Sequence, residues 1–177
     1  MVVHRNLISG IAAVSSNGML GANGWLPWDI PEDVAYFEKM IEGAALVVGR
    51  LTYATMTSFP EDTFVVSSRK DLTLHPGTFC SDSVESALLT AQATGKPVFV
   101  IGGAGIYEAA WPYCDQFFLT RIGRSFAGDT RFPESVSFEH WTVQQDEERT
   151  FRERTTGESI VCRFQIYVQN SPKKLKI

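Results

Sequence analysis

Val98-Phe99-Val100-Ile101-Gly102-Gly103-Ala104-Gly105-Ile106-Tyr107 is the stretch on which the fold turns. Four apolar residues in a row, with no polar alternation, suit a strand covered on both faces, as in a parallel sheet. Small residues follow, and a helical run begins at Ala104. A buried strand passing through glycines into a helix is the βα unit of an α/β protein. Glycines at that turn let the backbone approach a ligand, and the N–H groups at a helix start favour an anion such as a pyrophosphate. The spacing is not G-x-G-x-x-G and lies past the middle of the chain, so a packing role and a phosphate cradle are both open at this point.

The same pattern recurs on either side. Leu46-Val47-Val48-Gly49-Arg50-Leu51-Thr52 is an apolar run ending in Gly, a cation and a hydroxyl, and Val65-Val66-Ser67-Ser68-Arg69 ends in hydroxyls and another cation. Ligands of open α/β sheets bind beyond the carboxyl ends of strands. Strand ends tipped with Gly, Ser, Thr and Arg suit a phosphate-bearing cofactor, with Arg50 and Arg69 as candidates for an extra 2′-phosphate. β-Branched and aromatic runs predict strands over 7–14, 45–48, 63–67, 97–101, 116–122 and 160–169, and helices over 32–41, 52–57, 83–94 and 104–111. The run 141–145 pairs with 160–169 as a final antiparallel hairpin.

The chain has 177 residues, 44% hydrophobic and 20% charged, which is the composition of one globular domain. We expect that domain over 1–170, with 171–177 as a basic, frayed tail. A net charge of −4 gives no general attraction to nucleic acid or anionic membrane, so an anionic cofactor needs local positive groups. Cys80, Cys114 and Cys162 are odd in number and scattered, which argues against a disulfide framework and a zinc site and favours a reducing compartment. His4, His75 and His140 are equally isolated and read as surface or packing residues. With no signal peptide at the start and no apolar run of membrane length, the expected location is the cytoplasm.

Trp28-Asp29-Ile30-Pro31-Glu32-Asp33 supplies the candidate acid. Pro31 suits the first position of a helix, where a missing N–H costs nothing. Asp33 and Phe37 then share one face, with Val34 and Ile41 beside them, while Asp29 and Glu32 read as capping or solvated groups. A carboxylate on an apolar face is unusual, although an acid in a first helical turn also favours the helix dipole.

Taken in order, Ile11-Ala12-Ala13, Leu20-Gly21, Trp28-x-x-Pro31-x-Asp33, Gly49-Arg50-x-Thr52, Ser67-Ser68-Arg69, the Ile101–Tyr107 run, Thr120 and Gly128-Asp129-Thr130-x-Phe132-Pro133 resemble the dihydrofolate reductase family over about residues 6–168. The resemblance implies a mostly parallel central sheet with an antiparallel C-terminal strand and helices on both faces. It implies a monomer that uses NADPH to reduce 7,8-dihydrofolate or a related dihydropterin, with hydride to C6 and a proton to N5. Asp33 would bond the 2-amino group and N3 of the pterin, supported by Thr120, with an ordered water on Trp28. Ile11, Ala12, Phe37, Met56, Ile101 and Tyr107 would form the substrate pocket, and Leu20 to Trp28 a mobile loop whose Leu26 meets the nicotinamide. Ala13, Leu20, Gly21, Gly49, Arg50, Leu51, Thr52, Ser67, Ser68, Arg69 and Ile101, Gly102, Gly103, Ala104, Gly105, Ile106 and Tyr107 would hold NADPH; no metal is implied. Burial should raise the Asp33 pKa, and the helix start and Thr120 should lower it.

One departure stands out. The family's usual Arg for the substrate's glutamate carboxylate has no counterpart in Phe59-Pro60-Glu61-Asp62-Thr63-Phe64, and Glu38 takes a place that is often basic. An acidic rim there would repel a glutamyl tail by about 1 kcal/mol per close exposed pair, unless Lys39 replaces the missing cation. A tail-less dihydropterin is therefore an alternative substrate. A riboflavin-pathway pyrimidine reductase of the same fold is a second alternative, disfavoured by Asp33 and Trp28-x-x-Pro31. A non-catalytic binding or structural protein is the third, disfavoured by the intact set of Asp33, Thr120 and glycines.

Overall fold

Strands without polar alternation must be covered on both faces, and the chain meets that need with helices on either side of one sheet. The computed structural model describes residues 6–21 and 26–176. In chain order the elements are β1 (Ile8–Ser15), β2 (Met19–Gly21), α1 (Pro31–Ile41), β3 (Ala45–Gly49), α2 (Arg50–Thr55), β4 (Thr63–Val66), β5 (Thr78–Ser81), α3 (Val84–Ala93), β6 (Val98–Val100), α4 (Ala104–Ala110), β7 (Gln116–Ile122), β8 (Thr130–Arg131), β9 (Thr142–Arg152) and β10 (Ser159–Val168). A short 3-10 turn, Trp111–Tyr113, follows α4. The main sheet has eight strands in the order β5-β4-β3-β6-β1-β7-β10-β9. Pairings from β5 across to β7 are parallel, and β10 runs antiparallel to both β7 and β9. β2 and β8 form a separate antiparallel pair.

The period of two along β3 shows how the layers are made. Ala45 and Val47 point into a core with Val84, Ala87, Leu88 and Ala91 of α3 and Tyr107 and Ala110 of α4. Leu46 and Val48 point the other way, to Tyr53 of α2 and to Tyr36, Phe37, Met40 and Ile41 of α1. Phe117 of β7, 1% exposed, is the largest fully buried side chain, and burial of such a ring contributes roughly 1.5–3 kcal/mol. Its place depends on Gly10 of β1, where a Cβ would stand 2.2 Å from the Phe117 ring.

Helix ends follow local chemistry unevenly. Ser83 caps α3 by accepting a hydrogen bond from Ser86 N at 3.1 Å. α1 begins at Pro31 with acids in its first turn but no side-chain cap. Asp29, read as a capping or solvated group, is exposed, with its carboxylate 3.9 Å from Arg154 Nε and its carbonyl accepting from Arg154 N. The C-terminal segment, expected to fray, is docked: Lys173 N donates to Pro112 O at 2.7 Å and Leu175 packs on the larger core. His75 stacks on Phe59 at 3.6 Å, and all three cysteines are free thiols. His4, residues 22–25 of the expected mobile loop, and Ile177 lie outside the described residues. No helix among the described residues is long and apolar enough to cross a membrane.

Candidate active site

A cleft of about 1210 Å³ opens along the sheet between β1, α1, α2 and the ends of β3, β4 and β6. Brought together on its walls are Ile11, Ala12, Ala13, Leu20, Leu26, Asp33, Phe37, Gly49, Arg50, Leu51, Thr52, Ser67, Ser68, Thr120 and the whole run Ile101 to Tyr107. Sequence segments more than a hundred residues apart therefore meet at one place, because parallel crossovers return every strand end to the same edge.

At one end stands Asp33. It is 5% exposed, the one residue of α1 that is fully buried. Ile30, Pro31 and the helix start place it two residues inside the first turn, facing the sheet rather than solvent. Trp28 Nε1 donates directly to Asp33 Oδ2 at 3.1 Å. Trp28 is held in turn by an edge-on contact with Phe126, ring centroids 5.6 Å apart. Burial pushes the Asp33 pKa from its usual 3.8 up to about 6, and the Trp28 hydrogen bond opposes the rise. Burial thus wins the contest that the sequence left undecided. Thr120 is 3% exposed and sits beside Ala13 in the β1–β7 register, on the same wall. Tyr36 packs edge-on against Phe164 at 4.7 Å, and burial together with the Asp33 and Glu147 charges raises its phenol pKa.

The other end is made of backbone. Gly49 N donates to Gly102 O at 2.7 Å, tying the end of β3 to the turn after β6. Gly102 has φ +111, a left-handed conformation that a side chain resists, and a Cβ there would stand 3.1 Å from the Tyr107 ring. At Gly103 a Cβ would stand 3.2 Å from Thr52 Oγ1, whereas Gly105 faces open space. The missing side chains leave a cradle between α2 and α4, flanked by Arg50, Thr52, Ser67 and Ser68. The two ends are joined by Tyr107, whose hydroxyl donates to Ile11 O at 2.6 Å; the phenol is buried and its pKa is raised by that burial.

Four expected site residues stand elsewhere. Met56 is part-buried against the α1–α2 core, Trp28 acts from behind Asp33 in a third core with Ile30 and Ile122, and Gly21 pairs with Thr130 in the β2–β8 ribbon. Arg69 does not line the cleft; its backbone N–H donates to Ser67 Oγ at 3.1 Å. It lines a different groove of about 740 Å³ between β5 and α3, which Ser67 also borders. Conversely, Val34, Tyr36, Thr55, Val66, Asp129 and Thr130 line the cleft without having been assigned to it. Val34 was legible as the residue beside Asp33 on α1, and Asp129-Thr130 only as part of a motif.

The chain matches the family model described as dihydrofolate reductase over residues 7–169. It is 33% identical to a dihydrofolate reductase of Bacillus subtilis, covering 84% of this chain and 88% of that one. It is 32% identical to a dihydrofolate reductase of Haemophilus influenzae, covering 88% and 94% respectively. Among solved structures it is similar to dihydrofolate reductase from Enterococcus faecalis complexed with NADP(H) and RAB-propyl, with a TM-score of 0.79 at 28% identity over 94% of this chain and 98% of that chain. With the sheet order, the buried Asp33 and the glycine cradle in one cleft, the chain belongs to the dihydrofolate reductase family.

Proposed function

We propose that this protein catalyses the NADPH-dependent reduction of 7,8-dihydrofolate, or a related dihydropterin, to the tetrahydro form. One observation carries the reading: a single buried carboxylate, Asp33, stands in a cleft whose other end is a glycine cradle flanked by hydroxyls and an arginine. With a pKa of about 6, Asp33 is mostly ionised at neutral pH. An ionised carboxylate is acceptor-only, so its two oxygens match two adjacent N–H donors such as the 2-amino group and N3 of a pterin. Trp28 fixes one oxygen from behind, and Thr120 supports the ring end from β7. Ile11, Phe37 and Ile101 give the ring apolar walls and help to exclude water, which strengthens the Asp33 contact.

The donor set fits NADPH. Phosphate oxygens need N–H and hydroxyl donors and positive charge, and Thr52, Ser67, Ser68, Arg50 and the N–H groups around Gly103 to Gly105 would supply them. Arg50 would take the 2′-phosphate, Leu20 and Ala13 would flank the nicotinamide, and Leu26 would close over it. NADPH supplies the hydride for C6 when bound. The protein's own share is orientation and exclusion of water, with the N5 proton drawn from solvent. The reading includes a cytoplasmic monomer of a single catalytic domain.

The assay is loss of nicotinamide absorbance on mixing protein, NADPH and 7,8-dihydrofolate. Turnover that needs both compounds is the expected result. Absence of turnover with dihydrofolate and with tail-less dihydropterins alike would overturn the reading.

A further inference from the structure

α1 and α2 cover the same sheet face. Val34 and Phe37 of the first and Leu51, Ala54 and Thr55 of the second line the cleft that lies between them. None of these side chains carries charge. Val34 and Leu51 are 43% and 70% exposed, and Leu26 joins them at 45%. Exposed large aliphatics collected from separate segments around one mouth make an apolar collar, which favours an apolar or aromatic group of a ligand.

The charge pattern agrees. Among the described residues the cleft walls hold one cation, Arg50, and it stands beside Thr52, Ser67 and Ser68 at the β3–β4 end. Thr120 at the opposite end belongs to β7, and from β3, whose end leads directly into Arg50, to β7 is three strand steps in the sheet, about 14 Å. Residues 22–25 are Ala, Asn, Gly and Trp and add no cation. Lys39 is about 140° round α1 from Val34, whereas Glu38, four residues after Val34, shares its flank. Lys96 is paired with Asp62 at 2.8 Å. Of the expected acidic rim, Asp62 lines the groove between β5 and α3 and not the cleft. A carboxylate at the mouth therefore meets no strong repulsion from Asp62, and the one cation on the described cleft walls, Arg50, is the residue assigned to the 2′-phosphate.

We propose that the substrate site reads the dihydropterin ring and an apolar substituent on it and gives no recognition to a terminal carboxylate, so that dihydropterins with and without a glutamate are equivalent substrates. The inference rests on the reductase reading. Affinity for a tail carboxylate comes from charge-assisted bonds to a positioned guanidinium or ammonium. Without such a donor the carboxylates stay hydrated outside the collar and contribute nothing.

The test compares 7,8-dihydrofolate with 7,8-dihydropteroate, which keeps the aromatic linker and lacks the glutamate, at saturating NADPH. The expected KM ratio is below about fivefold, because one charge-assisted bond is worth about tenfold or more in affinity. A preference for dihydrofolate of fivefold or more, with both compounds turned over, overturns the carboxylate-blind site and leaves the reductase reading intact. No turnover of either compound overturns the reductase reading itself.

Discussion

At the α1 end of the cleft one buried side chain, Asp33, carries the recognition, whereas at the β3–β4–β6 end the work is shared among glycine backbone, hydroxyls and Arg50. The first end stores its chemistry in a charge held away from water, at a cost in folding stability visible in its raised pKa. The second stores it in absent side chains and in backbone geometry, such as the φ of +111 at Gly102. A buried charge makes an end sensitive to a single atom; a distributed donor set makes it tolerant of losing one member.

The largest expected effect breaks that contrast through pH. Asp33 has a folded pKa of about 6 against its usual 3.8. Its contribution to stability is therefore fully present below about pH 3.8 and is lost as pH rises through about 6, an effect on the order of 3 kcal/mol. Chemical denaturation from pH 4 to 7 should show Asp33→Asn gaining on the wild type by that order as pH rises. A constant difference between the two proteins would show that the carboxylate is better solvated than its burial implies.

A smaller effect is expected at the distributed end. Arg50→Ala should weaken NADPH by about tenfold, leave NADH little changed, and reduce the salt dependence of NADPH binding. Equal losses for both cofactors would remove Arg50 from the 2′-phosphate. The smallest effect sharpens the link between the ends: Tyr107→Phe deletes the bond to Ile11 O, which should cost about 1 kcal/mol and lower Tm by a few degrees. An unchanged Tm would mean that the α4 tyrosine does not brace β1.

What the sequence disclosed and what it hid follow from where each residue gets its signal. β7 is found at its predicted bounds 116–122 and β1 is displaced by one residue, because apolar runs buried on both faces announce themselves. β5 was missed: Thr78–Ser81 is a four-residue edge strand, half exposed, with no periodicity to read. β2 and β8 are only three and two residues long. β9 continues to Arg152, well past its predicted end at 145, because its Asp146-Glu147-Glu148-Arg149 stretch is exposed along the edge of the sheet and pairs by backbone rather than by burial. The glycines and Asp33 were legible as types; the direct Trp28–Asp33 bond and the place of Arg69 in the other groove were not, since residue type and spacing do not fix side-chain direction. The place of Asp62 was hidden because its partner, Lys96, is distant in the chain.

The most direct test of the account reads both ends of the cleft in one sample of Asp33→Asn. NADPH Kd should stay within about twofold of the wild type, while kcat/KM for dihydrofolate falls by at least ~10²-fold, the scale of a lost positioned ionisable group. Undiminished turnover, or NADPH binding lost in step with turnover, would contradict it.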